Sequence, residues 1–280
     1  MKRILMANDL SARSDRALRR AVSLAKEFDA ELEVVTVIDE MLLEASTSKN
    51  KLLAEQALTA QLSAVPDGDG VRASQRVMVG LDYEDIIRRS VEFDADLVVL
   101  GIHRHKTKEL FRGTTAERVV RYGVRPVLVV NDTVTGPYRR VVVASDLSAH
   151  AEAAARTAAR LVPLGEVILV HAVHRPYVAF LGRGDQNSLM AEHRNEVAAT
   201  LHEMIDRLSA ELGNRTPKFE LSLPEGEVHG AIQAEVAKYK PDLLAVGTHG
   251  RTGIAHTVIG SIAEQVLADC PIDVLAVKCD

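Results

Sequence analysis

The chain has 280 residues, 47% of them hydrophobic and 26% charged, with a formal net charge of −5. This composition is typical of globular proteins and excludes disordered, collagen-like and coiled-coil classes, while the length allows two domains of ordinary size. A slightly acidic balance excludes the basic surface of a nucleic-acid-binding domain, and no apolar run reaches the roughly 20 residues that cross a bilayer.

The two ends of the chain indicate a cytoplasmic protein. The N-terminal sequence MKRILMANDL enters an apolar run at once, without the h-region or cleavage site of a signal peptide. Cys270 and Cys279 flank a short apolar run whose extended length would hold their α-carbons beyond disulfide reach. We therefore expect reduced thiols, as is usual in the cytoplasm.

Short aliphatic runs in the first half alternate with segments of helical periodicity. The runs are ILMA, LEVVTVI, RVMV, DLVVLG and PVLVV, and the clearest helical segment is SDRALRRAVSLAKEF at 14–28. Apolar residues in that segment recur at helical spacing and form one stripe. Such an alternation predicts a parallel β-sheet covered by helices.

The same order of features repeats after a turn-rich stretch, NDTVTGPY, at 131–138. Asp9 in NDLSAR aligns with Asp146 in SDLSAH, and five further runs follow: VVVA, EVILVHAV, FELSL, DLLAVG and DVLAV. The repeat predicts an α/β protein with two tandem doubly wound five-stranded parallel sheets, in domains 1–132 and 138–280. Ligands of such sheets bind at the carboxyl ends of the strands.

A glycine-rich loop follows the fourth run of the second half. Gly247 and Gly250 are followed after nine residues by Gly260 and Ser261, which open a predicted helix. Glycines let the backbone approach a ligand, and a helix N-terminus favours phosphate. The same residues are also common in ordinary turns and helix caps. The spacing matches neither the P-loop of nucleotide hydrolases nor the fingerprint of dinucleotide-binding dehydrogenases.

Together, the repeat and this motif resemble the universal stress protein family (UspA), over almost the whole of both halves. ATP-binding members of that family carry Gly-x-x-Gly, nine residues, then Gly-Ser/Thr, and the second half matches every position. The resemblance implies a fold similar to that of adenine-nucleotide-binding α-hydrolases. It also implies that the second domain binds ATP, alone or with Mg²⁺, with ADP or AMP as alternatives.

The resemblance also implies a set of site residues. They are Ala144, Ser145, Asp146 and Ala172 around the adenosine, and Val246, Gly247, His249, Gly250, Arg251, Gly260, Ser261 and Ile262 around the phosphates. The carboxylate of Asp146 could accept from a ribose hydroxyl, or it could only terminate the strand before a helix. Arg251 is a better phosphate ligand than His249 because its charge is permanent.

The first half departs from the pattern. Arg104 stands where the second glycine should be, and its loop is one residue shorter than that of the second half. We expect weak or no ATP binding in this half, because an arginine side chain fills the space that phosphate would enter. The alternative is that the basic loop, with His103, Arg104, His105, Lys106, Lys108 and Arg112, still docks an anion at Gly113 and Thr114.

Other chemistry has less support in the sequence. His171 and His174 are close in sequence, as are His103 and His105, but neither pair is completed to a ligand set at a recognisable spacing, so we expect no metal site. A Gly-x-Ser-x-Gly elbow is absent. Adenine-binding ligases and sulfurtransferases, which resemble this sheet, carry a Ser-Gly-Gly-x-Asp-Ser run that this chain lacks.

The sequence therefore favours a regulatory protein of the stress response. Its ATP-bound loop would be recognised by protein partners, which the sequence does not identify. By the resemblance, the fifth strands of the two halves pair within the chain, and two chains could form a homodimer. Two alternatives remain open: an enzyme with slow ATP hydrolysis or phosphoryl transfer to Ser261, and a scaffold that binds no nucleotide.

Overall fold

A computed structural model of the chain describes residues 1–11, 14–39, 47–66, 68–101, 113–173, 183–249 and 259–279. The strands within these ranges are β1 (Arg3–Ala7), β2 (Glu31–Asp39), β3 (Ala73–Gly80), β4 (Leu97–Gly101), β5 (Val127–Val130), β6 (Arg140–Ala144), β7 (Glu166–Val170), β8 (Lys218–Ser222), β9 (Leu243–Gly247) and β10 (Asp273–Val277). The helices are α1 (Ser14–Phe28), α2 (Thr47–Ser63), α3 (Asp82–Glu92), α4 (Thr115–Tyr122), α5 (Ala149–Leu161), α6 (Arg183–Leu212), α7 (Val228–Tyr239) and α8 (Ser261–Asp269).

All ten predicted strands are present, and they form one continuous sheet. Its order is β3-β2-β1-β4-β5-β10-β9-β6-β7-β8, so each half is a parallel five-stranded sheet of the same order. The two halves join where β5 and β10 pair antiparallel, with Leu128 opposite Leu275. This confirms that the fifth strands pair within the chain. The two predicted five-stranded sheets are therefore the two halves of a single ten-stranded sheet.

Helices cover both faces of the sheet because the strands are apolar on both sides. In β1, Ile4 and Met6 pack into the same buried cluster as Leu18 of α1. The intervening residue, Leu5, packs on the opposite face in a cluster that includes Ile86 of α3. Alternate residues of one strand thus enter two cores, as a sheet covered on both faces requires.

The stretch between the halves, which has the composition of a turn-rich linker, is anchored at both ends. Asn131 and Tyr138 are buried. The Asn131 N–H donates to the Asp273 carboxylate at 2.8 Å, and the Tyr138 hydroxyl donates to the same carboxylate at 2.5 Å. Arg20 of α1 lies 3.3 Å from Asp273, and its guanidinium carbon is 4.0 Å from the centroid of the Tyr138 ring. We call Arg20, Asn131, Tyr138 and Asp273 the seam network.

Two further expectations bear on the chain as a whole. Cys270 and Cys279 are not disulfide-bonded, as the sequence predicts. Across the described ranges, no helix combines the length and the apolar character that crossing a membrane would require.

Candidate functional site

The carboxyl ends of β6, β7 and β9 form the switch point of the second half. β6 lies between β7 and β9 in the sheet. The chain continues from β6 to β7 on one side, and after β8 it reaches β9 on the other side of β6. In an open α/β sheet a crevice forms at this point, because the two crossover connections lie on opposite faces. The predicted site residues follow these strands.

The loop after β6 is held by local hydrogen bonds. The Ser145 N–H donates to the Val170 carbonyl at 2.8 Å, which continues the β6–β7 pairing by one residue. The Asp146 carboxylate accepts from the Ser148 N–H at 3.0 Å, and the Ser148 hydroxyl accepts from the Ala151 N–H at 3.2 Å. Ser148, rather than Asp146, is therefore the N-cap of α5, and the Asp146 carboxylate closes the turn before it.

Leu147 lies within this turn and has a φ of 66°, in the left-handed region. Leu10, at the corresponding position of the first half, has a φ of 58°. A leucine in this conformation is strained, so the surrounding hydrogen bonds must hold it there. In the second half, one of those bonds runs from the Leu147 N–H to the Ser145 hydroxyl at 3.2 Å.

Gly247 ends β9 against the first turn of α5. A Cβ at this position would lie 2.8 Å from the backbone carbonyl carbon of His150 and 3.0 Å from the Ala151 nitrogen. The close approach of strand and helix therefore requires glycine here, whatever ligand binds. The sequence interpretation considered ligand approach and an ordinary turn for Gly247 and missed this packing reason.

The start of α8 is fixed directly beside the end of β9. The Gly260 N–H donates to the Thr248 carbonyl at 2.8 Å, and the Thr248 N–H donates to the Val277 carbonyl at 2.9 Å. Both ends of the loop that begins after His249 are thus joined to the sheet. Gly250 and Arg251 lie outside the described residues.

The N-termini of α8 and α4, which correspond in the repeat, are capped differently. Gly260, the N-cap of α8, has no side chain that could accept from the first turn. In the first half the Thr114 hydroxyl accepts from the Glu117 N–H at 3.1 Å, and the Glu117 carboxylate accepts from the Gly113 N–H at 2.9 Å. One N–H of the first turn of α4 and the Gly113 N–H before it are therefore engaged within the chain, which counts against an anion at Gly113 and Thr114. Arg104 and the basic loop lie outside the described residues.

A cavity, which we call the switch-point cavity, opens between the ends of β6, β7 and β9 and the helices α7 and α8. It encloses about 110 Å³. Nine of the twelve predicted residues line it: Ala144, Ser145, Asp146, Ala172, Val246, Gly247, His249, Gly260 and Ile262. Ser261, the first residue of α8, is not among the lining residues.

The sequence interpretation missed five lining residues, namely Ala151, Val170, Val228, Ile232 and Ala263. Four of them lie on helices, and all are small or aliphatic, so they carry no chemical signature of a site. Val228 and Ile232 are four residues apart on α7 and share one helix face. That spacing is the one sequence signal that could have pointed to them.

Two histidines pack beside the cavity. The His249 ring lines it, and the His150 ring lies 5.1 Å from it between centroids. The Cys279 N–H donates to Nδ1 of His150 at 2.8 Å. Burial lowers the pKa of His150 below its usual range; the Asp146 carboxylate opposes this and Lys278 adds to it. His150 therefore stays neutral at pH 7.

Metal ligation finds no support within the described parts of the chain, where no three His, Cys, Asp or Glu side chains are grouped to hold an ion. His171 Nδ1 lies 2.8 Å from the Ser145 carbonyl oxygen, so this ring braces the loop after β6. His174, His103 and His105 lie outside the described residues.

Comparison with protein families gives two matches along the chain. A model of the "Universal stress protein family" matches residues 1–131 and 137–278. A universal stress protein of Methanocaldococcus jannaschii is 28% identical over 138 residues, which cover 46% of this chain and 81% of that protein. The match therefore spans about half of this chain and most of that protein.

Solved structures of similar length share the fold. A universal stress protein from Archaeoglobus fulgidus superposes with a TM-score of 0.72 at 22% identity, over 99% of this chain and 98% of the other. A functionally unknown protein from Pseudomonas aeruginosa superposes with a TM-score of 0.60 at 19% identity, over 100% of this chain and 93% of the other. At these identities the likeness shows the fold alone.

Proposed function

The chain belongs to the universal stress protein family, and on that premise we propose that its second half binds ATP or a close adenine nucleotide at the switch-point cavity. Occupancy of this site would serve as a signal to protein partners in the cytoplasm. The observation that carries the proposal is the N-terminus of α8, whose N-cap Gly260 has no side chain, beside a cavity lined by nine of the residues that the family resemblance implies. N–H groups in the first turn of a helix have no acceptor within it, and they favour phosphate.

The chemistry of the cavity fits an adenine nucleotide. Val170, Ile232 and Val246 provide aliphatic walls for a flat base. Asp146 lines the cavity at the end of β6, where its carboxylate would accept from a ribose hydroxyl. At about 110 Å³ the cavity is smaller than a whole nucleotide, so the phosphates would lie outside it, over the first turn of α8. Mg²⁺ would be held chiefly by those phosphates, as is usual for this ion.

The first half differs in the groups that would meet the same ligand. Asp9, the counterpart of Asp146, accepts from the Ser11 N–H at 2.9 Å, the Ser11 hydroxyl at 2.6 Å and the Ser14 hydroxyl at 2.5 Å. The Glu117 N–H at the start of α4 donates to Thr114, and the Gly113 N–H before the helix donates to the Glu117 carboxylate. We therefore propose one nucleotide per chain, in the second half.

Calorimetric titration of the purified full chain with ATP, ADP and AMP tests the proposal. We expect one site per chain. The substitution Gly250→Arg, which copies Arg104 of the first half, should lower affinity at least tenfold because it fills the phosphate position. Arg104→Ala is the matched control and should leave affinity unchanged. If Gly250→Arg binds as the parent does, the site assignment is wrong.

Two further measurements distinguish a regulatory nucleotide-binding protein from an ATP-consuming enzyme and from a scaffold that binds no nucleotide. Mass spectrometry of ligand retained through gentle purification identifies the nucleotide directly. Incubation with labelled ATP tests for turnover, and we expect neither ADP nor phosphoprotein beyond the background of a Gly250→Arg control. If no nucleotide is retained and none of the three gives a binding heat, the chain is instead a scaffold without a nucleotide.

A further inference from the structure

A second cavity, distinct from the switch-point cavity, lies between the helices α7 and α8. It encloses about 300 Å³, and its lining includes the apolar side chains Ile232, Val236, Leu244 and Val266. His229 and Asp269 also line it, with side chains 19% and 27% exposed. We call this space the α7–α8 cleft. Ile232 is a wall of both the cleft and the switch-point cavity.

The first half carries different side chains at the corresponding positions. Gly80 and Gly226 both have positive φ before the first helix of their pair, and Asp94 and Lys240 both have positive φ after it. Each pair is 146 positions apart, so Tyr83 of α3 corresponds to His229.

At the second helix, Gly113 and Gly260 are 147 positions apart, so Tyr122 of α4 corresponds to Asp269. The rings of Tyr83 and Tyr122 pack with their centroids 6.0 Å apart, and Arg118 lies 5.1 Å from the centroid of the Tyr83 ring. Two phenol rings thus bridge α3 and α4 at the position where the second half has a histidine and a carboxylate.

The histidine and the carboxylate that replace the two tyrosines are incompletely bonded. Gln233 Nε2 lies 2.9 Å from His229 Nε2, and Asp269 Oδ2 lies 3.8 Å from that same nitrogen. When Nε2 accepts from Gln233, the neutral ring carries its proton on Nδ1. That Nδ1 is buried and has no hydrogen-bond partner among the described residues. Because Nε2 faces Gln233 and Nδ1 is buried, the Asp269 carboxylate is the group of this pair that a ligand hydroxyl would reach.

We propose that the α7–α8 cleft binds a small aromatic molecule bearing a hydroxyl group, in place of the two tyrosine rings of the first half. Its hydroxyl group donates to the Asp269 carboxylate. A dry cavity of about 150 Å³ is enough to bind benzene. The cleft therefore has room for a two-ring compound, and its apolar wall is suited to it.

The test is a titration of the full chain with 2-naphthol, followed by ligand-observed NMR and calorimetry. We expect saturable binding to one site, and at least threefold weaker binding of naphthalene, which lacks the hydroxyl. The double variant His229→Tyr/Asp269→Tyr copies the first half and should weaken 2-naphthol binding at least tenfold. The matched control, Tyr83→Phe/Tyr122→Phe, changes only the first half and should bind as the parent does.

A circular-dichroism melt establishes that each variant is folded. Should the double variant not fold, Val236→Phe, which narrows the cleft from α7, replaces it and should also weaken binding at least tenfold. The proposal is overturned if the parent shows no saturable binding up to the solubility of 2-naphthol. It is equally overturned if a folded cleft variant binds as tightly as the parent.

Discussion

The absence of a side chain at Gly247 serves helix packing as well as the proposed approach of a ligand. Its missing Cβ lets α5 approach the end of β9, since an added Cβ would lie 2.8 Å from His150. We therefore expect Gly247→Ala to lower the free energy of unfolding by about 1–3 kcal/mol, the usual cost of overpacking. Urea denaturation measures it. Gly230→Ala, on α7, is the control, because its Cβ would meet only a Glu227 oxygen at 3.4 Å. Equal stability of the two variants would contradict the packing argument.

His150 makes the stability of the second half depend on pH. Burial lowers its pKa in the folded state, so below about pH 6.5 the unfolded chain takes up the proton first. The free energy of unfolding is therefore at its full value above about pH 6.5. It falls as the pH decreases from there toward the pKa of His150 in the folded state. We expect the free energy of unfolding of His150→Gln to fall less between pH 7.5 and 5.5 than that of the parent. His202→Gln, at an exposed position of α6, should follow the parent.

At the scale of elements, the capping of α4 and α8 predicts unequal effects of equivalent substitutions. Thr114 caps α4 by accepting from Glu117, so Thr114→Ala should cost about 1 kcal/mol in unfolding free energy. Ser261 is the corresponding residue, yet it is the first residue inside α8 rather than its cap. Ser261→Ala should cost less than half as much in the same urea titration. Similar losses would mean that both helices use the hydroxyl as a cap.

The strands could be predicted from the sequence more completely than the site. The strands inside the sheet are short aliphatic runs bounded by turn residues, and that pattern reflects burial on both faces of a parallel sheet, while the edge strands β3 and β8 are more polar. The cavity walls contributed by Val228 and Ile232 could not be recognised in this way, because ordinary core residues of an amphipathic helix have the same pattern. Their role depends on where α7 crosses the sheet, which only the fold determines.

At the scale of the whole molecule, the seam network was not predictable. Arg20 and Asp273 are far apart in the sequence, and neither belongs to a motif. Asp273 interrupts an apolar run, which in isolation indicates only the start of a strand. Burial, followed by the nearby Asp273 carboxylate, raises the pKa of Tyr138 well above its usual range, so this phenol remains a hydrogen-bond donor. The network forms only because β5 and β10 bring the two halves together.

This network should determine whether the halves unfold together. The Arg20 and Asp273 side chains are 5% and 1% exposed, so Arg20→Met would leave a buried carboxylate without its cation. We expect a loss of about 3–5 kcal/mol in the free energy of unfolding, the usual cost of breaking a buried ion pair. Arg156→Ala removes a more exposed pair with Glu211 and should cost under about 1 kcal/mol.

Arg20→Met acts at the seam, since Arg20 also donates to the Gly136 carbonyl at 2.8 Å and so holds the connecting stretch to α1. Its loss weakens contacts between the halves more than contacts within either half. Urea unfolding followed by fluorescence and circular dichroism should therefore change from one shared transition in the parent to two separate transitions in the variant. A single transition at an unchanged midpoint would show that the β5–β10 pairing alone couples the halves.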